Sequence, residues 1–260
     1  MSAQTVPAAD TQLHVEDTPA STPSNAPALV LLNGGFGTTQ NWNRVVARLG
    51  GKHRVIRFDA RGRGKSGRSA DYSLQPAIDD IGRVIEATGA PTPVILVGWS
   101  HGATLAVRYA AQHPDEVAGL VLVDGGYPIA SFDEEGKRKV RAQFRRLAPV
   151  LRLAAALGRG ARMSAAQAAD LVIEMDTING ELTADFASLQ CPAAFVVGTG
   201  GHSGAKPEEM ATLRAAAADA QAANERVTVF ATAPCNHVQM LTKGSDIVAS
   251  AIAWVSSAAD

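Results

Sequence analysis

Val94-Ile95-Leu96-Val97-Gly98-Trp99-Ser100-His101-Gly102-Ala103-Thr104-Leu105-Ala106-Val107 is the stretch on which the reading of this chain turns. An apolar run of strand type enters a pentapeptide of the form G-x-S-x-G and leaves it as an apolar run of helical type. A chain that passes from strand to helix in so few residues must turn very tightly. The residue at the apex is forced into a strained backbone conformation, so its neighbours must be small. Gly98 and Gly102 supply that space. The serine oxygen then projects above the carboxyl edge of the sheet and sits at a helix N-terminus, where free N–H groups favour negative charge. Ser100 is therefore the candidate nucleophile.

The flanking chain repeats the same rhythm. Apolar strand-like runs stand at 28–32, 54–59, 93–98 and 117–123, with a helical pattern at 78–88 and another from Gly102 to Gln112. Strand, turn, helix and strand in short alternation predict an α/β fold with a doubly wound, mostly parallel sheet. Residues 1–27 are rich in Ala, Thr, Ser and Pro and predict a partly disordered segment with one edge strand at 12–16. Residues 127–187 hold charged and Ala/Leu-rich helical pieces at 133–147, 149–157 and 164–175. Strand character returns at 192–198 and 226–231. The expected organisation is a core of 28–126 and 188–260 with a helical cap or lid at 127–187.

Three further stretches accompany the turn: Asn33-Gly34-Gly35-Phe36-Gly37, Phe58-Asp59-Ala60-Arg61-Gly62-Arg63-Gly64-Lys65-Ser66 and Asn236-His237-Val238. With these in this order, the chain resembles the α/β-hydrolase superfamily from about residue 28 to the end, the insertion excepted. The resemblance implies a serine hydrolase in which the first stretch forms the oxyanion loop and the last carries the catalytic histidine. Gly64-Lys65-Ser66 also looks like the tail of a phosphate-binding loop. That motif requires a glycine where Asp59 stands, so a structural turn with solvated arginines is expected instead.

A serine hydroxyl needs a base within hydrogen-bond reach. Of six histidines, His237 has the right place in the order Ser, acid, His. His14, His53 and His113 lie elsewhere. His101 serves better through its backbone N–H, and His202 sits in a glycine-rich loop that could line the site. The superfamily usually takes its acid from the loop after 195–198, but Thr199-Gly200-Gly201-His202-Ser203 holds no carboxylate. Asp124, at the end of Leu120-Val121-Leu122-Val123, is the preferred acid, with Glu208 or Glu209 as alternatives. Gly35 and His101, with Phe36 next in line, are the candidate oxyanion donors. Trp99 and Phe36 are candidates to line the substrate pocket, or else core residues.

On the 127–187 insertion, Lys137, Arg138, Lys139, Arg141, Arg145 and Arg146 read as a solvated face, while Val140, Phe144 and Leu147 are expected to cover the site. Cys191 and Cys235 read as quiet core residues, Cys235 being close enough to His237 to touch the site. The chain has 260 residues, 46% hydrophobic and 19% charged, with a formal net charge of -1. That supports a full core and gives no basic face for nucleic acid. Two cysteines suggest a reduced compartment, and no run approaches the roughly 20 apolar residues of a membrane span. A cytoplasmic protein acting on a small molecule is expected, monomeric or homodimeric, with no cofactor and no metal.

The reading that follows is hydrolysis of an ester, thioester or lactone of a small hydrophobic molecule through an acyl-enzyme. Two rivals use the same fold: a non-hydrolytic lyase, cyclase or acyl transferase, and a non-enzymatic small-molecule receptor.

Overall fold

The computed structural model describes residues 1–157, 160–201 and 207–259, and of Pro207 and Glu209 only the backbone. Eight strands form one sheet: β1 (Ser2–Ala8), β2 (Thr11–Thr18), β3 (Leu29–Leu32), β4 (Val55–Phe58), β5 (Val94–Trp99), β6 (Val117–Val123), β7 (Ala193–Gly198) and β8 (Val227–Ala233). Their order is β1-β2-β4-β3-β5-β6-β7-β8. The pairings from β4 through β8 are parallel, and the β1–β2–β4 edge is antiparallel. The helices are α1 (Asn43–Arg48), α2 (Leu74–Thr88), α3 (His101–Gln112), α4 (Glu134–Ala156), α5 (Ala165–Ser188), α6 (Pro207–Ala223) and α7 (Ser245–Ala259).

Parallel strands buried on both faces need apolar residues at every position. Leu29–Leu32 shows why. Leu29 and Leu31 pack in the layer that holds Trp42, Val45, Val248 and Ile252. Val30 and Leu32 enter the opposite layer with Ile78, Ile81 and Val107. The two layers are the α1/α7 side and the α2/α3 side of the sheet.

The order reverses at β3. The chain runs from β3 out to β4, then returns across β3 to β5. Connections leaving in opposite directions open a crevice at the carboxyl ends of β3 and β5, where open α/β sheets bind ligands. The Asn33–Gly37 loop follows β3 and Ser100 follows β5, so topology alone brings them together.

The observed elements depart from expectation in four places. Residues 2–8 are a strand, not disordered chain. This strand pairs with β2 from Ser2↔Asp17 to Ala8↔Thr11 and buries Val6 and Ala8. Pro7 is tolerated because β1 is an edge. The expected break at Pro149 is absent, and α4 runs through it. Pro149 is exposed, on the side where a helix can bend its carbonyls toward water. The helix expected at 164–175 continues to Ser188 behind a Ser164–Gln167 capping box. Arg61 and Arg63 are not solvated: they are 1% and 3% exposed.

Candidate active site

Ser100 has φ 56° and ψ −119°, at the N-cap of α3. Such a conformation costs about 1–3 kcal/mol and persists only where the surroundings enforce it. Here they do. The Ser100 N–H donates to the Val123 carbonyl at 3.0 Å. A methyl group added at Gly98 would lie 2.3 Å from the Gly102 oxygen, one at Gly102 2.2 Å from the Leu32 oxygen, and one at Gly125 2.3 Å from the Ser100 oxygen. Three glycines thus let α3, β3 and the chain after β6 close around the serine. Gly102→Ala is expected to cost about 3 kcal/mol through overpacking. A denaturant midpoint equal to that of the parent chain would contradict this.

Ser100, His237 and Asp124 lie in one hydrogen-bonded run. Ser100 Oγ is 3.0 Å from His237 Nε2, and His237 Nδ1 is 2.9 Å from Asp124 Oδ2. An ionised carboxylate can only accept, so the imidazole keeps its proton on Nδ1, and Nε2 is left to accept from the serine hydroxyl. Asp124 is 1% exposed and also has a positive φ, 46°. Its other oxygen, Oδ1, accepts from Tyr127 Oη at 2.7 Å and from the Gly198 N–H at 3.1 Å. Burial first, then the Asp124 charge, pushes the Tyr127 hydroxyl well above its ordinary range, so it stays a donor. Tyr127 itself stacks on Phe195 at 5.8 Å.

Of the alternative acids, Glu208 is exposed on α6. His202 and the side chain of Glu209 lie outside the described residues.

Tyr127 and Gly198 were not legible as partners of Asp124. Gly198 follows β7, which lies next to β6 in the sheet, so its N–H reaches Asp124 only through strand pairing. Tyr127 lies three residues after Asp124 in sequence, but only the turn between them aims its hydroxyl back.

The 33–37 loop packs against this run. A methyl at Gly34 would meet Ser100 Cβ at 3.4 Å and the Trp99 ring at 3.0 Å, and one at Gly35 would meet His101 Cβ at 3.8 Å. The Gly37 N–H donates to the Gly34 carbonyl, closing a turn. Among the described residues, the N–H groups of Gly35, Phe36 and His101 have no acceptor. Asn33 braces the loop by donating to the Phe58 carbonyl at 2.8 Å. Trp99 lies beside His237, ring centroids 5.5 Å apart, and lines a cleft of about 400 Å³ with Thr38, Gln40, Asn41, Arg44 and Val238. Phe36 is 45% exposed and meets Phe144 of α4 at 5.9 Å. Val140 and Phe144 lie on the sheltered side of α4. Leu147, expected with them, is 41% exposed, because one further turn carries it to the outer edge. Cys235 packs against Met240, Sγ to Sδ 3.4 Å.

His101 is fully enclosed, and burial, with the Arg63 charge second, lowers its pKa to about 3. The unfolded histidine takes up a proton near pH 6.5, whereas the folded one resists until about 3. Native stability should therefore fall as pH drops through this window, by about 2–3 kcal/mol between pH 6.5 and 4.5. Subtracting the stability profile of His101→Leu from that of the parent chain should isolate this slope. Parallel profiles would show that His101 titrates when folded as it does when unfolded.

The chain belongs to the α/β hydrolase fold family, whose model matches residues 27–169. It is similar to proline iminopeptidase PfmaB of Pestalotiopsis fici, 34% identical over 124 residues, 46% of this chain and 43% of that protein. It is also similar to the pimeloyl-[acyl-carrier protein] methyl ester esterase of Methylococcus capsulatus, 38% identical over 104 residues, 40% of this chain and 39% of that protein. The match therefore spans less than half the length of these curated relatives. Among solved structures, haloalkane dehalogenase DbeA from Bradyrhizobium elkani superposes with TM-score 0.73 at 21% identity, covering 99% of each chain. A structure reported for carboxylesterases of Nitrososphaera gargenis gives TM-score 0.75 at 19% identity, covering 98% of this chain and 99% of that one. At such identities the likeness concerns the fold alone. No helix among the described residues is long and apolar enough to cross a membrane.

Proposed function

We propose that this protein is a serine hydrolase of ester-type bonds in small hydrophobic molecules, working through an acyl-enzyme. The observation that carries the reading is the Ser100–His237–Asp124 run beside the unpartnered N–H groups of Gly35, Phe36 and His101. The relative named as a methyl ester esterase supports an ester as the bond cleaved.

In this reading, Ser100 Oγ attacks the acyl carbon while His237 Nε2 takes its proton. The carbonyl oxygen becomes an anion held by the His101 N–H and by the N–H of Gly35 or Phe36. His237, now charged and stabilised by Asp124, returns the proton to the departing alcohol as the C–O bond breaks. Water then attacks the acyl-serine, giving its proton to His237. The carboxylic acid leaves and the proton returns to Ser100. The acyl part lies toward Phe36 and Phe144, under the helices at 134–188, which act as a lid. The alcohol leaves along the cleft beside Trp99, because only a group near His237 can receive its proton.

A fluorophosphonate should label Ser100, located by peptide mass, and p-nitrophenyl butyrate should be turned over with one oxygen from labelled water in the acid. Turnover of natural-product esters without solvent oxygen in the product would replace hydrolysis by transfer or elimination. No label and no turnover, with a ligand still raising the melting temperature, would replace the enzyme by a binding protein.

A further inference from the structure

The 58–66 turn carries two buried arginines with opposite surroundings. Arg61 is paired with Asp80, Nη2 to Oδ1 2.9 Å, and reaches Asp10 at 3.4 Å. Arg63 is 3% exposed, and among the described residues no carboxylate lies within ion-pair distance of it. Its Nη1 donates to the Arg61 carbonyl at 2.7 Å, and its Cζ stands 5.9 Å from the Tyr72 ring centroid. Its Nε donates to the carbonyl of Gly35 at 2.9 Å. Burial lowers its pKa to about 10, so it remains a cation at neutral pH. An unpaired charge taken out of water is costly, and a fold that keeps one without an anion usually has a use for it.

The place of the Gly35 bond suggests that use. In a trans peptide the C=O and the following N–H point in opposite directions. Fixing the Gly35 carbonyl from one side therefore fixes the Phe36 N–H on the other. The preceding peptide is held likewise, by the Gly37 N–H on the Gly34 carbonyl. Only the Arg63 bond is charge-assisted, and such bonds are shorter and stronger than neutral ones. His101, next to Ser100, has its pKa lowered first by burial and then by the Arg63 charge.

We propose that Arg63 is the positioning residue of the oxyanion site: its bond to the Gly35 carbonyl aims the Phe36 N–H, and its uncompensated charge favours the anion that forms there. The inference rests on the acyl-enzyme reading above. Arg63 touches no reacting atom. It acts through the loop, and its missing counter-charge is supplied only when the carbonyl oxygen of the substrate becomes negative.

The test compares Arg63→Met and Arg63→Lys with the parent chain, using p-nitrophenyl butyrate and butaneboronic acid, which forms a tetrahedral anionic adduct on serine. Arg63→Met is expected to lower kcat about 100-fold, the usual effect of losing one oxyanion donor, with KM changed less than about threefold. Affinity for the boronic acid should fall by a similar factor. Arg63→Lys keeps the charge but not the fork, and should recover about tenfold of the loss. A merely structural role would lower the folded fraction without weakening the boronate relative to KM. The proposal is overturned if folded Arg63→Met keeps kcat within twofold. It is equally overturned if its boronate affinity is unchanged. Should Arg63→Met fail to fold, an Arg63→Lys chain with parental kcat and boronate affinity would overturn it. A parent chain that neither turns over the ester nor binds the boronate removes the acyl-enzyme reading itself, and Arg63 with it.

Discussion

Ser100→Ala is expected to lower kcat for p-nitrophenyl butyrate by about 10⁶-fold, because removing the nucleophile alone loses as much as removing the whole triad. The residue left behind, with oxyanion donors intact, should still exceed the rate in water by about 10³-fold. The fold should survive. Alanine inherits the φ of 56° and loses only the hydroxyl, while Gly98, Gly102 and Gly125 still hold the turn. Melting temperature should stay within a few degrees of the parent, or rise slightly, as often happens when a strained reactive group is removed. Circular dichroism together with stopped-flow turnover would check both halves. Ester turnover that persists in a folded Ser100→Ala chain would assign the chemistry to another residue.

The second large effect concerns the acid. Asp124→Asn should lower kcat about 10⁴-fold at neutral pH, with KM little changed, because the wrong tautomer of His237 is then held. The geometry adds a reason specific to this site. Both Asp124 oxygens accept: Oδ2 from His237, and Oδ1 from Tyr127 and Gly198. An amide has one acceptor and one donor end, so of these three donors Tyr127 and Gly198 can keep the oxygen only if His237 Nδ1 gives up its proton and accepts from the NH2. Tyr127→Phe removes one of them and should cost about tenfold or less, since the charge on Asp124 remains. Glu208→Gln should leave kcat within twofold, because Glu208 is exposed on α6. Rates from these three chains decide the acid by elimination. A silent Asp124→Asn would move the role elsewhere.

Much of the fold was readable because parallel strands are buried on both faces. Leu29–Leu32, Val94–Val97 and Val117–Val123 must then be unbroken apolar runs, and such runs are conspicuous. The pentapeptide at 98–102 was readable for a steric reason: only small residues permit the close approaches at Gly98 and Gly102. The edge strand β1 was missed because an edge needs few buried side chains, here Val6 and Ala8 among polar neighbours. The unbroken α4 was missed because the rule that Pro stops a helix is weaker where the carbonyls beside it face water.

The candidate site divides along the same line. Ser100 could be singled out as a candidate because the constraint on its turn is local. Asp124 could be favoured from sequence only by its position after β6 and by the empty carboxylate position after Gly198. That it meets His237, 113 residues away, depends on β6 lying between β5 and β7. Arg61 and Arg63 are two residues apart and alike in type, yet one is paired with Asp80 and the other is bound to the 33–37 loop. No spacing distinguishes them. The sequence by itself determined the sheet and the tight turn at Ser100, because hydrophobic periodicity and steric room act over a few residues. Tertiary structure alone decided the partners of Asp124, the burial of Arg63 and the aim of the 33–37 loop, because hydrogen bonds and desolvation depend on which distant segments the sheet order brings within 3 Å.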